Sequence, residues 1–144
     1  MAVSYTNNWK NIADKLKNIL SREFGRTLPV YIGEGNYSDN QFMKIIPTSN
    51  ELYEQHTAGE VRQYFFSMSL YSTESSTMQS SLTKILRLLS RIESVIGNNR
   101  FVTLADSSTI MEGSLDSYEI GEGTEIYKYI VDMNYTCLHY GNIS

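Results

Sequence analysis

The chain has little cysteine, little proline and no long apolar run. A single cysteine, Cys137, stands among 144 residues with only two histidines. One thiol makes no internal disulfide, and no paired Cys/His spacing offers a structural zinc site. Two prolines, Pro29 and Pro47, and nine glycines are the only strong breakers, so most of the chain is available to regular elements. No stretch approaches the roughly 20 apolar residues of a membrane span, and the N-terminal MAVSYTNNWK lacks the apolar run of a secretory leader. The expectation is a soluble protein made in the cytoplasm, with no membrane partner. The terminal Asn142-Ile143-Ser144 matches a glycosylation sequon, which without such a leader is read as chance.

Positive charge is also scarce. Twelve Lys/Arg face sixteen Asp/Glu, a net charge of −4, with a pI near 5.1. That balance argues against a protein that wraps nucleic acid through its phosphates. The deficit is concentrated: from Phe101 onward Lys128 is the one basic residue, against seven acids. What is present is globular, 41% hydrophobic and 19% charged. The length suits one domain spanning residues 1–144, large enough to bury a core.

Periodicity places two helices. In NNWKNIADKLKNILSREFG, Trp9, Ile12, Ala13, Leu16, Ile19, Leu20 and Phe24 recur at steps of three and four. They make one apolar face, with Asn7 or Asn8 as N-cap and Gly25 as terminator. In TMQSSLTKILRLLSRIESVIGNN the apolar stripe is Met78, Leu82, Ile85, Leu86, Leu89, Ile92 and Ile96, ended by Gly97.

The rest reads as strand and turn. Val30 to Gly33 and Phe42 to Ile46 are short strands joined by a polar turn. Gly33 and Gly35 lack the third glycine and following helix of a phosphate loop. Pro47 to Val61 reads as a long polar loop, either an arm that orders on a partner or an extended hairpin tip. VRQYFFSMSLYS alternates, with Tyr64, Phe66, Met68 and Leu70 toward the core and Phe65 and Tyr71 on the other face, available for a subunit contact or for packing against a loop. After an unassigned stretch from Phe101 to Glu112, Ser114 to Ile120 is a strand. GEGTE then turns into the long alternating run EIYKYIVDMNYTCLHYG, whose Tyr127, Tyr129, Val131, Met133, Tyr135 and Cys137 share the natural core face. The expected fold is α+β: a mixed, largely antiparallel sheet of about five strands, two amphipathic helices on one face, and a C-terminal β-hairpin.

Chemistry is not signalled. Cys137 and His139 share a side of one strand, but neither an orienting third group nor an oxyanion loop accompanies them, and a small cysteine beside core residues packs as a hydrophobe. Glu119, Glu122 and Glu125 cluster about a turn, in a spacing that matches no calcium loop. The expectation is no catalytic residue, no cofactor site and no metal site. A pocket-forming small-molecule binder would need polar groups turned inward, where the pattern puts Tyr64, Phe66, Met68 and Leu70.

The order of elements, the tyrosine-rich closing hairpin, and the helix LTKILRLLSRIES between QYFFSMSLYS and that hairpin resemble tail terminator and tail-completion proteins of tailed bacteriophages. The resemblance spans nearly the whole chain and is one of pattern and length. It implies a virion protein whose copies form a ring, expected to be hexameric, that stops tail-tube growth and joins tail to head. The implied partners are the tail-tube protein and a head-side connector, with DNA passing through the lumen without specific binding. A neck connector ring is the alternative within that class. A ring needs two complementary patches on each subunit. The candidates are Phe65, Tyr71, Tyr127, Tyr129 and Tyr140 for the subunit interface, and Glu119, Glu122 and Glu125 for the lumen, where they would repel phosphates. Leu52, Tyr53 and His56 are the candidates for the partner-contact loop.

Overall fold

The computed structural model describes residues 7–33, 41–55, 59–72, 78–122 and 129–142. The first helix, α1 (Asn8–Phe24), starts where the Asn7 side chain accepts a hydrogen bond from the Lys10 amide at 3.1 Å. It ends at Gly25, whose φ of 56° lies in the left-handed region open to glycine and whose N–H closes on the Ser21 carbonyl. Ile12, Ala13, Leu16, Ile19, Leu20 and Phe24 are buried, as their spacing requires. A single 3₁₀ turn, Gly25–Thr27, leads into the sheet.

The strands are β1 (Val30–Ile32), β2 (Gln41–Gln55), β3 (Gly59–Ser72), β4 (Val102–Thr103), β5 (Thr109–Glu122) and β6 (Tyr129–Asn142), with α2 (Met78–Asn98) between β3 and β4. They form one six-stranded sheet in the order β1-β2-β3-β6-β5-β4. All pairs are antiparallel except β1 with β2, which run parallel with Val30 beside Met43. The sheet thus has six strands where about five were expected. The extra one is β4, a two-residue strand inside the unassigned stretch, held by Val102 and Thr103 against Ile110 and Thr109. The polar turn expected between β1 and β2 falls on residues 34–40 and the GEGTE turn on residues 121–125, largely outside the described residues.

Of the two readings of Pro47 to Val61, the extended hairpin is the one that forms. β2 continues to Gln55 and β3 starts at Gly59, so Leu52 and Tyr53 lie on a strand, while His56 lies outside the described residues. Polar composition left strand and loop unseparated here because this half of β2 is exposed on both sides and has no core face to alternate against. The closing hairpin is present, β5 against β6. Its second strand lies at the centre of the sheet, flanked by β3 and β5, so its own backbone edges are already used.

Both helices pack on one sheet face and share one core with Tyr64, Phe66, Met68 and Leu70 of β3 and Val131, Met133, Tyr135 and Cys137 of β6. Trp9 meets the rings of Tyr64 and Phe66 edge-on at 4.8 and 5.6 Å, contacts worth about 0.5–1.5 kcal/mol each beyond area burial. The α2 stripe is rotated from the sequence expectation. Ile85, Leu88, Leu89, Ile92, Val95 and Ile96 are buried, whereas Leu82 and Leu86 are 39% and 45% exposed. Leu88 and Val95 fit a 3.6-residue line through Ile85 and Ile92 better than Leu82 and Leu86 do. Gly97 lies within the last turn instead of ending it, and the Asn99 side chain caps the helix on the Val95 carbonyl at 2.7 Å.

Candidate assembly surfaces

Strand alternation and register sort the candidate residues. Tyr129 faces the helices, is 8% exposed and belongs to the core, which removes it from the interface candidates. Its place opposite Ser72, two steps from Leu70 and Val131, gives it that face. Phe65, Tyr71 and Tyr140 lie on the opposite face, where Phe65 and Tyr71 are half-buried and Tyr140 is 38% exposed. Tyr127 and Glu125 lie outside the described residues, as does the side chain of Glu122, whose backbone pairs with Tyr129.

That second face carries no helix. At one end Phe42 and Tyr71 stack at 4.8 Å with rings 6° from parallel. Tyr31 meets Phe42 edge-on at 6.0 Å, and the Lys44 ammonium stands 5.0 Å from the Tyr71 ring centroid. The middle is polar: Ser69 donates to Asp132 at 2.9 Å, Asn134 to Ser117 at 2.9 Å, and Thr136 to Asp116 at 2.6 Å. Glu119, exposed, sits directly across from Asp132. Aromatic residues beside satisfied polar groups are the composition of a wet protein interface.

The sheet's two sides end differently. Beyond the β1 contact at Met43 to Ile45, β2 from Ile46 to Gln55 has no second strand partner among the described residues. Pro47 and a bulge at Thr48, whose hydroxyl donates to the Phe65 carbonyl at 2.8 Å, interrupt this edge. On the far side β4 covers only Thr109 and Ile110, leaving β5 from Ser114 to Glu122 with β6 as its one strand partner among the described residues. A groove of about 440 Å³ runs there between α2 and β5, lined by Glu93, Ile96, Arg100, Leu115 and Tyr118 among others. The Tyr118 hydroxyl donates to the Glu93 carboxylate, which raises the phenol's pKa.

Cys137 and His139 are both buried on the helix side. Burial pushes the thiol up to about 12, against a weaker opposing hydrogen bond from Tyr135. Burial likewise lowers His139, opposed by Asp106, and its Nε2 lies 2.9 Å from the Ser108 hydroxyl. A protonated, packed thiol is no nucleophile at neutral pH. Among the described residues no buried side-chain N or O lacks a hydrogen-bond partner, and no three His, Cys, Asp or Glu gather as metal ligands. Among the described residues no helix is long and apolar enough to cross a membrane. The positions a ligand pocket would need, Tyr64, Phe66, Met68, Leu70, Val131 and Met133, are filled core.

Sequence reasoning missed Leu82, Leu86, Tyr118 and Ile120 as surface residues, because each fits an apolar pattern that elsewhere means core. No family model matches the chain, and no curated protein matches it. Among solved structures it is similar to a chain of the "Virion of native gene transfer agent (GTA) particle", with a TM-score of 0.57, 8% identity, and coverage of 90% of this chain and 92% of that one. At that identity the similarity is one of fold.

Proposed function

We propose that this chain is a structural protein of a phage-like virion, whose copies close into a ring of six that caps the tail tube and joins the tail to the head. The observation that carries this reading is a fold shared over nine-tenths of both chains with a component of a gene transfer agent virion. Three features support it. The sheet has a helix-free face bearing stacked aromatics and hydrogen-bonded polar groups. Its two edges are unlike each other, as a head-to-tail ring requires. Its one thiol is packed away from reaction. Phe65, Tyr71 and Tyr140 belong to the subunit or docking contacts. Glu119, beside Asp132, lines the lumen, where paired carboxylates keep DNA from adhering.

The test is the mass of the purified protein by light scattering across concentration and salt, followed by electron microscopy after adding purified tail tubes or heads. A closed ring seated on the tail end supports the reading. A ring that seats only on heads makes the protein a neck connector. A monomer that binds neither rejects the reading.

A further inference from the structure

The two layers of the molecule carry opposite charge. α1 has four Lys/Arg against two acids, and α2 three against one. On the helix-free sheet face, register places Glu51, Glu54, Glu119 and Asp132, with Lys44 the one base there among the described residues. On the helix layer, charge gathers in the cleft where the end of α1 meets α2, two adjoining cavities of about 310 and about 160 Å³ that share Glu23, Val95 and Asn98. Arg22, Arg87 and Arg91 line it, and Glu23 is the one acid among its described lining residues. Arg91 shows what the cleft can hold: its guanidinium stands 4.6 Å from the Phe24 ring centroid and donates to the Glu23 carboxylate at 3.1 Å. Glu23 thus occupies Arg91, while Arg22 and Arg87 are exposed beside it with the same capacity for a carboxylate or a ring.

On the sheet face, the matching chemistry lies at the outer end of β2, β3 and β6. Ser49 pairs with Phe65, Glu51 with Gln63, and Glu54 with Val61, which in turn pairs with Tyr140. Glu51, Glu54, Phe65 and Tyr140 therefore share one corner of the helix-free face, two carboxylates beside two rings. Both carboxylates are exposed, Tyr140 is partly exposed and Phe65 is half-buried. Glu119 and Asp132 lie toward the other end of the strands, level with Ser69 and Lys44, away from this corner.

We propose that this acidic, aromatic corner of one copy seats on the arginine cleft of the next, so that neighbours overlap with the sheet of one on the helices of the other. This deepens the ring reading and rests on it. Three physical points favour a second copy as the occupant. Arginine forks a carboxylate and stacks on a ring, and the same chain presents both partners of that chemistry. The two patches lie on opposite layers of the molecule, so they do not meet within one copy and join copies head to tail, the kind of contact that closes into a ring. Pairing with β3 also holds the outer part of β2 as a firm strand, while none of its residues from Pro47 to Gln55 is buried, which leaves it open to a neighbour.

Charge reversal tests the pairing. Arg22→Glu with Arg87→Glu inverts the cleft, and Glu51→Arg with Glu54→Arg inverts the corner; all four positions are exposed, and Arg91 is left with Glu23. By light scattering, each double variant alone is expected to assemble at least about tenfold less tightly than the wild type, as close interfacial charge pairs do when reversed. In an equimolar mixture assembly is expected to return. The native corner of the first variant fits the native cleft of the second, and the inverted corner of the second fits the inverted cleft of the first. Melting curves establish that each variant is folded, and the single variants Arg87→Glu and Glu51→Arg carry the same test where a double variant does not fold. Variants that assemble like the wild type, or folded variants whose mixture stays unassembled, overturn the contact and leave the ring reading standing. Unchanged assembly with lost seating on tail tubes gives the cleft to another virion protein and likewise overturns it. A wild type that is monomeric even with tail tubes rejects the ring and the contact with it.

Discussion

A Cβ on Gly113 would overlap the hydroxyl of Tyr135 and stand 3.2 Å from the ring carbon that bears it. The glycine follows Glu112, held at φ 53°, in the bulge that separates the Met111 and Ser114 registers. Here β5 closes on a fully buried tyrosine. Gly113→Ala is expected to cost about 1–3 kcal/mol by overpacking. Adding Tyr135→Phe, which removes the colliding oxygen, should recover part of that loss. Denaturant unfolding of both variants checks this, and wild-type stability in Gly113→Ala would mean that the contact relaxes freely.

With Tyr135 and Tyr64, phenols that burial also holds above their ordinary 10.0, Cys137 shapes the alkaline limb. Its folded value near 12 stands above the ordinary 9.0, so the unfolded chain loses the proton first. The stability is complete below pH 9 and disappears as pH rises toward 12, at up to about 1.4 kcal/mol per unit. Cys137→Ala should flatten the decline in melting temperature over that window. The native thiol should also resist a thiol reagent at neutral pH and react at once in denaturant.

His139 acts in the opposite window. Burial holds its folded value below the ordinary 6.5, so the unfolded chain takes up the proton more readily. The stability is present above pH 6.5 and lost as pH falls through the folded value. Asp106, lowered chiefly by its hydrogen bonds from Ser108, adds a loss of the same sign at lower pH. His139→Gln should make unfolding less sensitive to pH just below 6.5. An unchanged pH profile would show that the imidazole already titrates freely in the fold.

Glu119 and Asp132 face each other across β5 and β6, and like charges so placed repel. Glu119→Lys is expected to raise stability by less than about 1 kcal/mol through an opposite-charge pair, with the gain shrinking in 0.5 M salt. In assembled particles the same variant should hold DNA more tightly and slow its release. Normal release would remove Glu119 from the lumen.

Two tyrosines of β6 should separate core from surface. Tyr129→Ala is expected to cost about 3–5 kcal/mol, as for other large aromatic truncations in a core. Tyr140→Ala should leave monomer stability within about 0.5 kcal/mol yet weaken assembly at least about tenfold. Unfolding and light scattering on the two variants decide it, and unchanged assembly in Tyr140→Ala would strike that residue from the interface.

Local order was legible in the sequence wherever one side of an element meets the core. Ile12, Leu16 and Leu20 on α1, and the alternating Tyr64 to Leu70 and Val131 to Cys137, were assigned correctly because burial imposes their period. The Asn7 cap and the Gly25 stop were readable for a similar reason, since each satisfies orphan backbone groups through its own chemistry.

Tertiary structure alone decided which apolar residues remain outside and which strands meet. Periodicity puts Leu86 at the margin of the stripe through Ile85, Leu89 and Ile92; only the placement of α2 on the sheet decides that this margin stays exposed. The outer half of β2 reads as loop or hairpin alike because no core lies on either side of it, and pairing with β3 makes it strand. The tyrosine-rich β6 was legible as a strand, but its central position between β3 and β5 was not, since strand order is set by contacts far apart in sequence. That order takes β6 out of edge pairing, because β3 and β5 already use its backbone on both sides.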